Sequence, residues 1–209
     1  MHPASFDRLS RQWTAVLDAF RVPAEAAGGV LADLVARYGE PHRHYHTLDH
    51  IAAVLDVLAA FGTLDPALSL AAWYHDTIYD THATDNEERS AGLARATLVP
   101  LGVPVAVVEE TARLIVLTKS HQTTEADLSG CQLLDADLSI LGSDPESYER
   151  YAAAIRREYA WVPEEAYRAG RRRVLEGFLM RPGLFVLLTE LESPARRNME
   201  QEIRALGQQ

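Results

Sequence analysis

The sequence predicts an all-α fold, and three observations carry that expectation. Val, Ile and aromatic residues nowhere alternate with polar ones over the length of a strand, whereas apolar residues recur at spacings of three and four throughout. Prolines stand where the first turns of helices would lie: Pro23, Pro66 after Asp65, Pro104, Pro145 after Asp144, Pro163 before Glu164 and Glu165, and Pro194 after Ser193. These signals divide the 209 residues into about nine or ten helices with short connections, a content that suits one domain over 1–209.

Taken in order, a first helix is expected through Trp13, Val16, Leu17 and Phe20, and a second through Val30, Leu31, Leu34 and Val35 up to Gly39. A histidine-crowded loop over 39–45 leads into a helix with the stripe Ile51, Val54, Leu55 and Leu58, for which Thr47 is the candidate N-cap. If that helix has begun by His46, then His46 and His50 share one face. The segment from Pro66 to about Ile78 is apolar nearly all round and is expected to be buried, which carries His75 and Asp76 inward. A loop over 79–84 precedes a helix near Asp85, where Asp85 and Glu88 have the spacing of a capping box. The helix after Pro104 ends near His121. In the helix over 131–141, a wheel projection places Asp137 at the centre of the apolar arc and Asp135 almost opposite, so Asp137 is expected to face the core and Asp135 to point away. Helices over 145–160, 163–180 and 184–206 complete the chain, with Arg171, Arg172 and Arg173 assigned to a solvated face.

A formal net charge of −10 repels a phosphate backbone and excludes long nucleic acid as the expected partner. It does not exclude a small anionic substrate, because a metal ion dominates the field at close range. Cys131 is the single cysteine, so no internal disulfide can form and a reducing compartment is the natural setting. The stretch from Met1 to Arg8 lacks the apolar run of a secretion signal, and no later run reaches membrane-spanning length. The expectation is a cytoplasmic protein with no membrane partner.

The chemistry is concentrated in three separate pieces: Tyr45 to His50, Trp73 to Asp76, and Leu134 to Leu138. His50, His75, Asp76 and Asp137 fall on or beside inward helix faces, and a bare buried carboxylate costs several kcal/mol unless it is paired or ligated. One divalent cation satisfies all four, and a set of two nitrogens and two oxygens suits Mn, Fe, Co, Ni or Zn, with Mg also admissible. Mutual pairing of the imidazoles and carboxylates is the alternative. A single histidine such as His82 or His121, taken alone, is more often a hydrogen-bonded packing residue than a ligand.

The ordered set of His50, His75-Asp76 and Asp137 resembles the HD superfamily of metal-dependent phosphohydrolases, which are all-α. Tyr45-His46-Thr47-Leu48-Asp49-His50 is similar to the YHxxxH signature of its cyclic-nucleotide phosphodiesterases, and Asp137-Leu138-Ser139 to their D-L-S. The runs 75–80, 85–91 and 135–142 resemble a bacterial group of predicted HD phosphohydrolases. The likeness extends from about Tyr38 to Arg197, with the motif-bearing core at about 38–142. It implies a phosphoester hydrolase acting on a small phosphorylated molecule, a nucleotide first of all, by metal-activated water. By position it makes His50, His75, Asp76 and Asp137 the metal ligands, with Asp76 also catalytic, and His46 the proton donor to the leaving oxygen. Asp80, counted with the catalytic residues, or Asp85 becomes a supporting carboxylate of the site; Arg43, Lys119 and His121 become candidate substrate contacts. Where several members place Glu or His four residues after the first residue of the HD pair, this chain has Tyr79; the extra histidines that fix a second metal in some members have no clear counterpart, which favours one tightly held ion. Two rivals stay open: an HD-fold di-iron oxygenase and a non-catalytic, metal-stabilised binding module. The small face Ala152-Ala153-Ala154 is a candidate surface for a homo-oligomer.

Overall fold

Helix-start chemistry shapes the chain much as its prolines suggest. The structure is a computed structural model that describes residues 3–62 and 65–207; Met1 and His2, part of the N-terminal stretch read above, lie outside the described residues. Among the described residues there are ten α-helices, two short 3-10 turns and no strand, so the fold is all-α. The helices are α1 Pro3–Asp18, α2 Ala24–Tyr38, α3 Leu48–Ala60, α4 Pro66–Tyr74, α5 Asn86–Leu98, α6 Val105–Leu117, α7 Leu128–Leu138, α8 Pro145–Glu158, α9 Glu164–Leu179 and α10 Glu192–Leu206. The 3-10 turns are Ser139–Gly142 and Thr189–Leu191. No helix among the described residues is long and apolar enough to cross a membrane.

At α4, Asp65 accepts the Ala67 N–H at 2.8 Å with Pro66 in the first turn; at α8, Asp144 accepts the Ser147 N–H at 3.0 Å with Pro145 beside it. Thr47 caps α3 through the Asp49 N–H at 3.3 Å. The helix therefore starts at Leu48, and His46 precedes it instead of sharing its face. Helix α4 is shorter than expected, ending at Tyr74 with His75 as its cap, so the His-Asp pair sits in the turn that follows a helix buried from Ala67 to Tyr74. The capping box at α5 does not form. Asp85 makes no side-chain cap bond, and Glu88 is drawn instead to Lys119 at 2.5 Å.

The apolar interior falls into two clusters. The larger is built from α1 to α7 and includes Trp13, Leu34, Ile51, Leu55, Leu68, Trp73, Leu98, Ile115 and Leu133. Trp13 meets Trp73 edge to face at 5.4 Å and donates its indole N–H to the Ala27 carbonyl at 2.8 Å. The smaller cluster gathers Leu138, Leu141, Tyr148, Leu175, Phe185 and Met199. Helix α7 feeds both, giving Leu133 and Ala136 to the first and Leu138 to the second. Within the smaller cluster the 3-10 turns pack closely at Gly142, where a Cβ would lie 2.7 Å from Leu191 Cβ.

This second cluster overturns two expectations. Asp135 does not point to solvent; it is buried, with both oxygens accepting the backbone N–H groups of Val186, Leu187 and Leu188 at 2.6–3.1 Å. A wheel drawn for one core cannot see a segment 50 residues later folding over the opposite face. Arg171 is likewise buried, forked onto Glu202 at 2.7 and 3.0 Å and lying over the Tyr151 ring, while Arg172 stays exposed.

A candidate metal centre and its cleft

Three elements deliver the central groups. The first turn of α3 carries His50, the turn after α4 carries His75 and Asp76, and the last turn of α7 carries Asp137. His50 Nε2 lies 3.1 Å from His75 Nε2, 3.2 Å from Asp137 Oδ1 and 3.4 Å from Asp76 Oδ2. His75 Nε2 lies 3.2 Å from Asp76 Oδ2 and 3.6 Å from Asp137 Oδ1. The two imidazole nitrogens thus each lie within 3.6 Å of a carboxylate oxygen of both aspartates. His50, His75 and Asp137 form a set able to hold a metal ion, and Asp76 faces it.

The donor set fits a divalent transition metal by chemistry and by spacing. Ligand atoms about 2.1 Å from one ion stand about 3.0 Å apart at a right angle and about 3.4 Å apart at a tetrahedral angle; four of the five separations fall in that range, and His75 Nε2 to Asp137 Oδ1, at 3.6 Å, lies just beyond it. His75 Nδ1 lies 3.0 Å from the Ala72 carbonyl, which can only accept, so in the neutral ring Nδ1 holds the hydrogen and the Nε2 lone pair faces the cluster.

The same four groups also neutralise one another. Burial opposes a charged imidazole, but Asp137 and Asp76 outweigh it and raise the pKa of His50. Burial likewise works against the charged form of His75, yet Asp76 and Asp137 hold it well above the usual histidine range. For Asp76 and Asp137 burial favours the protonated acid, and the surrounding histidines reverse this, taking both well below the usual carboxylate range.

His46 joins the site from the loop before α3. Its Nδ1 is 2.7 Å from Glu158 Oε2; a carboxylate only accepts, so Nδ1–H donates and Nε2 is left free of that bond. Glu158 Oε1 accepts the backbone N–H groups of His44, Tyr45 and His46 at 2.7, 2.7 and 3.0 Å, and Tyr79 donates its hydroxyl to Oε2 at 2.8 Å. Burial pushes the Glu158 carboxyl up, but its bonds to His46, Tyr45 and His44 prevail and hold it at about 2. Tyr79 is therefore a donor to the residue that orients His46.

The remaining predicted residues are placed unevenly. His121 reaches the cluster, its Nε2 3.0 Å from Asp137 Oδ2, with its backbone in the left-handed region at φ 49° and its carbonyl held by Arg181. Asp80 does not: its carboxylate turns to the N–H and ring of His82 at 2.9 and 3.2 Å. Arg43 is fully enclosed, spending its guanidinium on the carbonyls of His46, Asp76 and Thr77 and on Glu40. It clamps the His-Asp turn to the His46 loop. Lys119 donates to Glu88 and to the Thr84 carbonyl. Glu158 is the candidate site residue missed from sequence. Its one signal is an acidic residue on the apolar side of α8, whose partners lie 79 to 114 residues earlier.

Beside the cluster opens a cleft of about 570 Å3, with His50 and Asp137 in its wall and neither Arg43 nor Lys119 lining it. Comparison with family models, with curated proteins and with solved structures returned no match to this chain. Fold and site together define an all-helical protein with a buried histidine–aspartate cluster of metal-binding composition.

Proposed function

We propose that this chain is a metal-dependent phosphohydrolase that cleaves a phosphoester of a small phosphorylated molecule, most simply a nucleotide. The observation that carries the reading is that His50 Nε2 and His75 Nε2 lie 3.1 Å apart and within 3.6 Å of both Asp76 Oδ2 and Asp137 Oδ1, with His50 and Asp137 lining a cleft of ligand size. These four residues would hold the ion, which when bound supplies an acidified water and positive charge for the phosphoryl oxygens. The chain supplies the rest. Glu158 fixes His46 through Nδ1, leaving Nε2 as the atom that hands a proton to the leaving oxygen. Arg43 and Tyr79 hold the two loops that carry His46 and Asp76 in register. His121 braces Asp137 from the side away from His50 and His75.

Elemental analysis of the purified protein beside His50→Ala and Asp137→Ala tests the centre. About one transition metal per chain, lost in both variants, supports it; two irons per chain would move the reading to an oxygenase. No metal even after incubation with Mn(II) would mean that the four groups serve as ion pairs. A panel of nucleotides and phosphomonoesters given to the loaded protein then tests the reaction. Product from any of them, abolished in His75→Ala, supports hydrolysis, and silence across the panel removes the enzymatic reading.

A further inference from the structure

One wall of the cleft is a single stripe of α8. Ser147, Arg150, Tyr151, Ala154 and Arg157 recur at spacings of three and four and all line it. Arg150 and Arg157 are thus rooted two turns apart, about 10 Å along the axis, on a cleft whose other charged lining residues, apart from its histidines, are Asp49 and Asp137. The arginines of α8 differ in what they hold. Arg150 is engaged by Glu146 at 2.5 Å and by Ser147 Oγ at 2.9 Å. Arg156 turns off the cleft, onto Glu164, two backbone carbonyls and the Tyr167 ring. The Arg157 guanidinium makes no hydrogen bond or ion pair among the described residues. Its backbone is nonetheless fixed, because the next residue, Glu158, is buried and bonded to three N–H groups of the 44–46 loop.

The geometry points to a substrate with a second anionic group, held by Arg157 while its phosphoester faces the histidine–aspartate cluster. This inference rests on the phosphohydrolase reading and narrows its substrate class. A substrate with one phosphate would be served by the metal end alone. A planar fork with all its donors open, anchored in the wall of the same cleft, is suited to a phosphate or carboxylate received bidentately. The cleft volume of about 570 Å3 leaves room for a nucleotide that bridges the two.

Titration calorimetry of the Mn(II)-loaded full chain with adenosine monophosphate, adenosine bisphosphate and adenylosuccinate tests this. The three share one nucleoside monophosphate; the second adds a phosphate and the third adds carboxylates. At least one of the two is expected to bind about tenfold more tightly than the monophosphate, and which one identifies the group. Arg157→Ala should remove that advantage, Arg157→Lys should restore part of it, and the monophosphate should lose less than threefold in the alanine variant. Equal losses for all three ligands, an unchanged advantage in Arg157→Ala, or no advantage in the unaltered protein would each overturn the proposal. An Arg157-dependent advantage without turnover would leave the proposal standing and remove the hydrolase reading. Turnover of monoesters with no effect of Arg157 would do the reverse.

Discussion

Glu158 Oε2 stands 2.7 Å from His46 Nδ1 across 112 residues of chain, and the same carboxylate gathers three backbone N–H groups of the loop that carries His46. One side chain of α8 thus shapes the loop and orients the ring.

Replacing it tests both roles. Glu158→Gln keeps the shape but faces the His46 N–H and the Tyr79 hydroxyl with a weaker acceptor, so a loss of about 1–3 kcal/mol is expected at neutral pH. The sign in acid follows from a carboxyl held at about 2 against an ordinary 4.5. Its contribution is complete above pH 4.5 and is lost as pH falls towards 2. Urea unfolding at pH 7 and pH 3 should show a larger acid loss in the unaltered protein than in the variant. Parallel losses would mean that Glu158 is not the titrating group.

The centre makes a second pH prediction, with opposite signs for two forms. Without metal, His50 and His75 have pKa values raised by their aspartate neighbours, so their contribution is whole below about 6.5 and is given up as pH rises through the folded values. With metal, the ligands must shed those protons, and apparent affinity should climb roughly tenfold per pH unit for each proton released. Melting curves from pH 6 to 8, with and without Mn(II), should therefore diverge as pH rises. Curves that stay parallel would place the ion elsewhere.

Helix α7 shows what the sequence could and could not disclose. Leu133, Ala136 and Asp137 were legible because one helical period placed them against the larger core, and the His50, His75 and Asp76 set followed from burial of their segments. Glu158, Asp135 and the enclosed Arg43 were not legible, since each is defined by backbone groups far away in sequence or by a turn whose shape no periodicity encodes. Asp80 was misplaced for a local reason: a short carboxylate two residues before a free N–H satisfies that N–H first.

Asp135 makes the third prediction. It accepts the N–H groups of Val186, Leu187 and Leu188 from a buried position two residues before Asp137. Asp135→Asn sets an amide hydrogen against donors and should cost about 2–4 kcal/mol, with Asp135→Ala costing more. Because the same turn of α7 carries Asp137, metal retention after dialysis should fall as well. Full retention in a destabilised variant would separate the 186–188 segment from the centre.

Arg171 and Arg172 are neighbours in sequence with opposite expected fates. Arg171 is buried and forked onto Glu202, which also accepts the Tyr148 hydroxyl at 2.6 Å. Arg172 reaches an exposed Glu176 on its own helix. Removing one partner of a buried pair strands the other, so Arg171→Met should cost about 3–5 kcal/mol, whereas Arg172→Met should change stability by well under 1 kcal/mol. The double change Arg171→Met with Glu202→Leu removes the stranded charge and should recover much of the loss. Chemical denaturation of the four proteins decides it. Equal small effects of the two single arginine changes would mean that the Arg171 pair is solvated, and that the smaller apolar cluster around Tyr148 and Leu175 does not close over it.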